Sequence, residues 1–184
     1  EMAISTSFCP LRKIKSTFDE FGRVIKEENP GFYAVNYTYD EFGKLKTMSQ
    51  GEGEEQRKAT FYYDEKERLV KIEDNSGNNE QYFYDEKGRL YKTILPNGKE
   101  IMEDFDKNNN TTAITLPNDE QHKFEYTSID QIASYEAPNE TITSYDYNLD
   151  GQMTQVTEPI NEELIYNYNS SSGVLESIVY PDTT

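Results

Sequence analysis

Aromatic residues recur along this chain at an almost constant interval, and the other hydrophobic and polar positions recur with the same period. We call the last aromatic residue of each cluster the anchor. Six of the seven steps between successive anchors are 21 residues long, and one is 24. The anchors are Phe18, Tyr39, Tyr63, Tyr84, Phe105, Tyr126, Tyr147 and Tyr168. Self-similarity at such a fixed period is the signature of a repeat protein, so the pattern predicts eight repeats.

Each repeat begins with an alternating pattern that predicts a β-strand. A second aromatic residue lies two positions before most anchors, at Tyr37, Phe61, Tyr82, Phe124, Tyr145 and Tyr166. The residue between the two rings is often polar, as at Thr38, Asp104, Glu125, Asp146 and Asn167, whereas Tyr62 and Phe83 depart from this rule. Side chains two apart lie on one face of a strand. The strand is therefore predicted to have an aromatic face and a more polar face.

A turn signal follows the anchor. Asp or Asn comes directly after it in most repeats, and glycine comes three residues later, as in Asp19 with Gly22. Asp at the first position and a left-handed fourth residue are typical of a type I turn that closes a bulged hairpin. Asn109 and Asp130 occupy the glycine position in two repeats, and both residue types tolerate positive φ. Glu67 occupies it in a third and does not fit the pattern.

A second hydrophobic pattern marks the return strand. An apolar residue lies six positions after the anchor, at Val24, Leu45, Leu69, Leu90, Ile132, Met153 and Val174, with Thr111 as the exception. Another often lies nine positions after it, at Met48, Ile72, Ile114, Tyr135 and Val156. Six and nine differ in parity, so simple alternation cannot place both on one face. One extra residue, a β-bulge, would reconcile them.

Proline marks a second turn in each repeat. It lies twelve positions after the anchor, at Pro30, Pro96, Pro117, Pro138 and Pro159, and Pro181 fits after a shift of one residue. Proline followed by Asn–Gly, Asn–Asp or Asn–Glu is typical of a turn. Each repeat is thus predicted to be strand, bulged turn, strand and second turn. No segment has helical periodicity with capping residues.

Together these patterns predict an all-β fold, a curved or spiralling antiparallel β-meander of about eight hairpin repeats of 21 residues. A two-stranded repeat cannot bury a core alone, so we expect the repeats to lie side by side with their anchor rings adjacent in an aromatic ladder. The domain prediction is an N-terminal lead-in over 1–15 and one repeat sheet over 16–184. The 24-residue step is assigned to an inserted loop at 49–59.

The charge of the chain excludes several classes of partner. The formal net charge is −17, with 35 acidic and 18 basic residues. A surface that binds nucleic acid needs clustered Lys and Arg, so no nucleic acid partner is predicted. No apolar run approaches the length of about 20 residues that a spanning helix needs, so no membrane insertion is predicted. The single Cys9 permits no internal disulfide.

The repeated sequence motif resembles the YD repeat of the Rhs/YD-repeat family. The copies that carry the resemblance are YFYDEKGRL, FYYDEKERL and YTYDEFGKL, which begin at residues 82, 61 and 37. Such repeats form a hollow β-shell in bacterial Rhs proteins, in the B and C components of insecticidal toxin complexes and in teneurins. In the bacterial proteins the shell encloses a toxic C-terminal domain. The resemblance implies that this chain is a fragment of a longer array in a secreted or cell-surface protein.

No constellation in the sequence predicts catalysis. One histidine, His122, and one cysteine are too few for a Cys–His pair with its orienting group or for a zinc site. The Asp of the turn recurs in most repeats, whereas a catalytic pair is singular, so it is assigned to turn chemistry. The prediction is a non-enzymatic module without catalytic, cofactor-binding or metal-binding residues and without a cofactor.

One segment nearly matches a calcium-binding loop. In residues 146–158, Asp146, Asn148, Asp150 and Gly151 follow the pattern, but Thr157 stands where the twelfth ligand is required and Glu158 comes one residue late. The flanking segments are predicted strands rather than helices. We interpret the match as the repeat itself, with calcium binding as the alternative.

Two functional hypotheses follow. The first is a structural module of a β-shell that encapsulates or displays another domain of the same polypeptide, such as a toxin. The second is a carbohydrate-binding or cell-surface adhesion module, because exposed rings stack on sugars. Self-association through unpaired sheet edges and surface glycans are the further predicted partners. The sequons at Asn36, Asn110, Asn139 and Asn169 are expected by chance in an Asn-rich chain.

Overall fold

In the part of the chain that the structure describes, the repeats fold into sixteen β-strands, two in each repeat, whose order in the sheet is their order in the chain. The computed structural model describes residues 14–160 and 162–181. Contacts divide the chain into two compact units, one comprising residues 1–82 with 95–97 and the other 83–94 with 98–184. The predicted lead-in lies largely outside the described residues, as does Cys9.

The first seven strands are β1 (Lys15–Phe18), β2 (Val24–Glu28), β3 (Val35–Tyr39), β4 (Leu45–Gln50), β5 (Arg57–Tyr63), β6 (Leu69–Asp74) and β7 (Asn79–Tyr84). The other nine are β8 (Leu90–Ile94), β9 (Glu100–Phe105), β10 (Thr111–Thr115), β11 (Gln121–Tyr126), β12 (Ile132–Glu136), β13 (Ile142–Tyr147), β14 (Met153–Thr157), β15 (Glu163–Tyr168) and β16 (Leu175–Val179). Within each unit consecutive strands pair antiparallel, as in β3 with β4 and β11 with β12. The predicted fold class, an all-β antiparallel meander of about eight hairpin repeats, is confirmed.

The bulge that reconciles the two apolar positions is present. In the hairpin of β3 and β4, Tyr39 pairs with Leu45 but Thr38 pairs with Thr47, so Lys46 is the extra residue. The same shift, directly before the anchor, occurs in the hairpins anchored by Phe18, Tyr63, Phe105, Tyr126, Tyr147 and Tyr168. The extra residue restores the parity, so the sixth and ninth positions after the anchor lie on the anchor's face.

The first turn has the predicted geometry in the first seven repeats; in the eighth the turn is one residue longer, and Gly173 is the left-handed residue. In the first repeat the N–H of Gly22 donates to the carbonyl of Asp19 (3.1 Å), and the N–H of Asp19 donates to the carbonyl of Arg23 (2.9 Å). Gly22 has φ of 77°, and Asn109 and Asp130 adopt φ of 77° and 61° in the same position. The local hydrogen bonds therefore impose a left-handed residue on every repeat, whichever side chain is present.

The proline-containing second turn uses the same geometry. Around Pro138, the N–H of Ala137 donates to the carbonyl of Thr141 and the N–H of Glu140 donates to the carbonyl of Ala137, both at 2.9 Å. Proline fits the second position because its ring fixes φ near the value that the turn requires and because its missing N–H is not needed there. Glu140 takes the left-handed position, with φ of 64°.

Glu67, the residue that did not fit the sequence pattern, has φ of 63°. A non-glycine residue in this region costs about 1–2 kcal/mol, and glycine avoids the strain at an entropic cost of about 0.5–1 kcal/mol. We therefore expect Glu67→Gly to raise the free energy of unfolding by about 0.5–1 kcal/mol relative to Glu67→Gln. Urea denaturation followed by circular dichroism measures the difference.

Glu67→Gln is the matched control because it keeps the strain and removes the ion pair between Glu67 Oε2 and Lys44 Nζ (2.9 Å). That pair is largely exposed and contributes little. Equal stabilities of the Gly and Gln variants would contradict the assignment of strain to this position.

The 24-residue step is accommodated between β4 and β5. β4 ends at Gln50 and β5 begins at Arg57, so the connection covers residues 51–56. The two strands occupy the rest of segment 49–59. A short 3₁₀ helix, Gly53–Glu55, lies within the connection. The assignment of 16–184 to a single repeat domain remains a prediction.

Candidate functional site

The two faces of the sheet differ in chemistry, as the alternation predicted. In the first unit, cross-strand pairs such as Tyr37 with Met48 and Phe61 with Ile72 lie on the face of the anchors. Thr38 with Thr47 and Thr60 with Glu73 lie on the other. We call the anchor-bearing face of each unit the aromatic face and the opposite one the polar face. The aromatic face carries the anchors and the apolar residues that pair with them and is the first candidate for a functional surface.

Neither face is covered. Among the described residues, Ala113 is the only buried hydrophobic residue, with 8% of its surface exposed, and no polar or charged residue is buried. The anchors from Tyr39 to Tyr168 are partly exposed. Removal of apolar surface from water contributes about 25 cal/mol per Å², so much of the available hydrophobic free energy remains unused in this chain alone.

The first turn of a repeat is held by the side chain of its first residue. Asp64 Oδ1 accepts from the N–H groups of Lys66 and Arg68, both at 2.9 Å, and its Oδ2 accepts from Arg68 Nε at 2.8 Å. A second guanidinium nitrogen of Arg68 lies 2.6 Å from Oδ2. The ion pair is partly buried, with 27% and 23% of the Arg68 and Asp64 side chains exposed. The Asp thus fixes the turn and also orients the arginine.

The oriented arginine contacts the following repeat. The guanidinium of Arg23, which is held by Asp19 at 2.7 Å, lies 4.5 Å from the centre of the Tyr39 ring. In the second unit, Arg89, held by Asp85, lies 4.4 Å from the ring of Phe105. A guanidinium at this distance over a ring makes a favourable cation–π contact. The Asp, Arg and aromatic positions of the motif therefore act together across the boundary between two repeats.

The anchor hydroxyl makes a second bond between repeats. Tyr39 Oη donates to the carbonyl of Val24 at 2.7 Å. Equivalent bonds join Tyr63 to Leu45, Tyr126 to Thr111, Tyr147 to Ile132 and Tyr168 to Met153. The acceptor is always the residue six positions after the preceding anchor, at the bulge. Burial raises the pKa of the Tyr63, Tyr126 and Tyr147 hydroxyls, so these donors stay protonated to a higher pH than an exposed tyrosine.

The expected ladder of adjacent anchor rings is not what the structure contains. The return strand lies between successive anchors, so Tyr39 is opposite Leu45 rather than another anchor. The ring contacts among the described residues join Tyr135 of a return strand to Phe124 and His122, with centroids 5.4 and 5.8 Å apart. Anchors are connected to the preceding repeat through a cation and a carbonyl, not by stacking on one another.

The residue five positions after the anchor was not predicted from the sequence to join repeats. A side chain with a polar N–H donor occupies this position in the first seven repeats, namely Arg23, Lys44, Arg68, Arg89, Asn110, Gln131 and Gln152. Gln131 Nε2 donates to the carbonyl of Gly151 and Gln152 Nε2 to that of Gly173, both at 2.7 Å. Lys44 Nζ lies 3.4 Å from the carbonyl of Glu67. The signal was visible as an unbroken series of side-chain donors after the left-handed position.

The turn carboxylates give a prediction about pH. The backbone N–H of Arg68 holds the pKa of Asp64 below its ordinary value; burial opposes this, and the Arg68 side chain reinforces it. Because the pKa is lower in the folded chain, the stabilisation is fully present above the unfolded pKa, about 3.9, and is lost as the pH falls through the folded value. The net charge of −17 has the opposite effect on stability between pH 7 and the pI. As the pH falls through this range, carboxylates are protonated and the self-repulsion of the folded chain weakens.

We therefore expect the melting temperature to hold or rise from pH 7 to the pI near 4.4 and to fall below about pH 4. Thermal melts followed by circular dichroism measure this profile. Asp64→Asn is the control, because an amide oxygen can accept the same two N–H bonds, as Asn148 Oδ1 does from Asp150 and Gln152. An unchanged acid dependence in that variant would argue against the turn carboxylate as its source.

The residues weighed for chemistry lie in separate places. His122 is on the aromatic face, not at a site with other catalytic groups, and its Nδ1 lies 2.7 Å from Tyr135 Oη. In the segment that resembles a calcium loop, Asn148 closes a repeat turn and Asp146 pairs with Gln155 within the sheet. In the part of the chain that the structure describes, no three His, Cys, Asp or Glu residues are grouped to hold a metal ion.

Comparisons with known proteins agree with this geometry. The profile of the teneurin YD-shell family matches residues 11–184. The crystal structure of TcdB2-TccC3-Cdc42 aligns with a TM-score of 0.71 and 19% identity, covering 88% of this chain and 10% of that chain. The Tc holotoxin pore of Photorhabdus luminescens aligns with a TM-score of 0.69, again with 19% identity and coverage of 88% and 10%.

A comparison with curated proteins finds no match. At 19% identity the structural matches establish the fold alone, and this chain spans about a tenth of the length of the chains that it matches. The family profile, in contrast, covers nearly the whole sequence, including all eight anchors. On that match, and on repeat geometry that agrees with it, the chain belongs to the teneurin YD-shell family.

Proposed function

We propose that this chain is a non-enzymatic wall segment of a β-shell in a secreted or cell-surface Rhs/YD-repeat protein. The shell would encapsulate or display another domain of the same polypeptide, such as a toxin. Support comes from the family match over residues 11–184 and from the structural matches, in which this chain corresponds to about a tenth of a larger protein. No helix among the described residues is long and apolar enough to cross a membrane.

The observation that carries the proposal is the partly exposed aromatic face. The described residues include one buried hydrophobic residue, Ala113, so the repeats do not bury a core of their own. The cation–ring contacts and the tyrosine hydroxyl bonds stabilise the sheet without closing it. A face of this kind is protected from water only by something beyond the sheet. An enclosing wall with its aromatic face inward meets that requirement.

Repetition also favours a structural role over surface adhesion by the aromatic face. The anchor hydroxyls of Tyr126 and Tyr168 are already bonded to backbone carbonyls, and the rings of Tyr39 and Phe105 are covered on one side by guanidinium groups. Such rings are less accessible to a sugar than free ones. Their contacts hold neighbouring repeats together.

Thiol labelling of the full-length polypeptide tests which face is enclosed. Met48 on the aromatic face and Met102 on the polar face have similar exposures, 39% and 42%, so they form a matched pair. Each is changed to cysteine in a Cys9→Ser background. In the full-length protein we expect Met48→Cys to react with a soluble maleimide at least about tenfold more slowly than Met102→Cys, because enclosure limits access.

In the isolated 184-residue chain both cysteines should react at comparable rates, since both faces are open there. That measurement separates enclosure from local protection by neighbouring side chains. Equal reactivity of the two positions in the full-length protein would overturn the proposal of an inward aromatic face.

A further inference from the structure

The connection between β4 and β5 is the one place where the step between anchors departs from 21 residues. In a repeat protein, a feature that occurs once cannot be explained by the repeat itself. The connection borders a groove of about 890 Å³ within the first unit. Its lining includes Phe32, Tyr33, Gln56, Arg57 and Asn75, from three successive repeats. Glu54 and Glu55 of the short 3₁₀ helix also line the groove.

The groove is preformed because its walls are bonded to each other. Gln50 Nε2 donates to the carbonyl of Tyr33, and Asn75 Nδ2 donates to the carbonyl of Gln56, both at 2.9 Å. Gly51 has φ of 93°, and a Cβ there would lie 2.8 Å from the carbonyl oxygen of Glu55. The connection therefore folds back onto itself at a point where only glycine fits. A preformed site avoids the entropic cost of ordering on binding.

The lining combines aromatic rings with planar polar groups. Phe32 and Tyr33 remain 60% and 55% exposed. Among the described residues Arg57 has no ion pair or side-chain hydrogen bond, although two carboxylates also line the groove. Carboxylates disfavour an anionic ligand and the guanidinium disfavours a cationic one. The combination suits a neutral ligand that has both an apolar face and many hydroxyl groups.

We propose that this groove binds a neutral saccharide. A pyranose ring presents C–H groups that pack on an aromatic ring, here Phe32 or Tyr33, and hydroxyl groups that pair with amide, guanidinium and carboxylate groups. Gln50 pairs with Val35 and with Arg57 in the register of the anchors, so the groove lies at the second-turn edge of the aromatic face. It therefore adds a ligand-binding role at the second-turn edge of the sheet.

Titration of the 184-residue chain with cellotriose, chitotriose and maltotriose, monitored by ¹H–¹⁵N correlation spectra, tests the proposal. We expect at least one trisaccharide to shift saturably the signals of Phe32, Tyr33, Gln56 and Asn75. Phe32→Ala should weaken that binding at least about tenfold, as expected for loss of a stacked ring. Phe42→Ala is the matched control, because Phe42 is similarly exposed, at 76%, but lies in a first turn away from the groove.

Deletion of 53–55 restores the 21-residue step and removes the 3₁₀ helix. We expect this deletion to abolish binding. The circular dichroism spectrum and melting temperature should stay close to those of the parent chain, because the other repeats form their second turns without such an insertion. Absence of any groove shift at about 10 mM of each trisaccharide would overturn the proposal. So would undiminished binding by the deletion variant or equal losses in Phe32→Ala and Phe42→Ala.

Discussion

Replacing Tyr126 with alanine is expected to lower the free energy of unfolding by about 2–4 kcal/mol, the largest effect of a single substitution that we predict for stability. Two contributions add. Loss of a fully buried aromatic ring costs about 3–5 kcal/mol, and a half-buried ring loses roughly half of that. The hydroxyl also donates to the carbonyl of Thr111 at 2.8 Å, and such a bond contributes about 0.5–1.5 kcal/mol.

Tyr126→Phe separates the two contributions. This variant keeps the ring and removes only the hydroxyl, so about 1 kcal/mol should be lost. Phenylalanine already holds the anchor position at Phe105, which shows that the repeat tolerates it. The reciprocal change, Phe105→Tyr, should be neutral or stabilising if a hydroxyl at this position finds the carbonyl of Leu90, the equivalent acceptor. Urea denaturation followed by circular dichroism measures all three variants.

A loss below about 1 kcal/mol in Tyr126→Ala would contradict the role assigned to the anchor. An equal loss in the Ala and Phe variants would show that the hydroxyl bond, not the ring, carries the stabilisation. Because the contact joins two repeats, the same substitution should also decrease the amide-exchange protection of β10 and β11 more than that of β15. The comparison between strands distinguishes a local cohesive contact from a general loss of stability.

Replacing Val179 with lysine is expected to reduce self-association of the isolated chain by at least about tenfold. Val179 lies at the end of β16, the last strand in the sheet order, and every residue of that strand is exposed. A terminal strand presents unpaired backbone groups, and apolar side chains on it favour pairing with another chain. A lysine on such an edge opposes pairing because its charge would have to be desolvated.

Val174→Lys is the matched control for the edge. Val174 is 62% exposed and Val179 is 49% exposed, but Val174 precedes β16 and does not belong to its edge. Sedimentation velocity over a range of concentrations measures the association. It should be done at moderate and high salt, because the net charge of −17 opposes association through self-repulsion. A monomeric parent chain at all concentrations, or equal effects of both lysines, would contradict edge pairing.

The contacts between repeats also suggest why the YD motif has its particular composition. Asp19 orders the turn and orients Arg23, and Arg23 reaches the ring of Tyr39 in the next repeat. The hydroxyl of Tyr39 returns to the carbonyl of Val24. A repeat that followed this rule needs a neighbour on each side to complete its bonds. The motif therefore encodes extension of a sheet, which is the property required of a wall.

Later repeats preserve the geometry with other side chains. Asn110 replaces the arginine and donates both to Asp106 of its own turn and to Asp130 of the next one, at 3.0 and 2.7 Å. Gln152 accepts from Asn148 within its turn and donates to Gly173 of the following turn. The cation–ring contact is lost in these repeats, but the bond to the next turn is retained. The requirement is for a donor of sufficient length at this position.

Local chemistry explains how much of the fold could be predicted. The positions of the turns depend on residues within four or five positions of each other, as in Asp19 and Gly22, and the bulge is implied by the spacing of apolar residues around one turn. Such features require no knowledge of neighbouring repeats. Even Glu67, which breaks the composition rule, adopts the left-handed φ because the surrounding backbone hydrogen bonds impose it.

The contacts between repeats depend on distances between side chains that cannot be calculated from the sequence alone. The period, the hairpins, the left-handed turn residues and the family resemblance are predictable from the sequence, because they arise from local patterns repeated along the chain. Three features required the folded structure: the arginine side chain reaches the next anchor, a return strand separates the anchor rings, and residues 51–56 border a groove. Each of these rests on strand spacing and register, through which residues about 20 positions apart become neighbours.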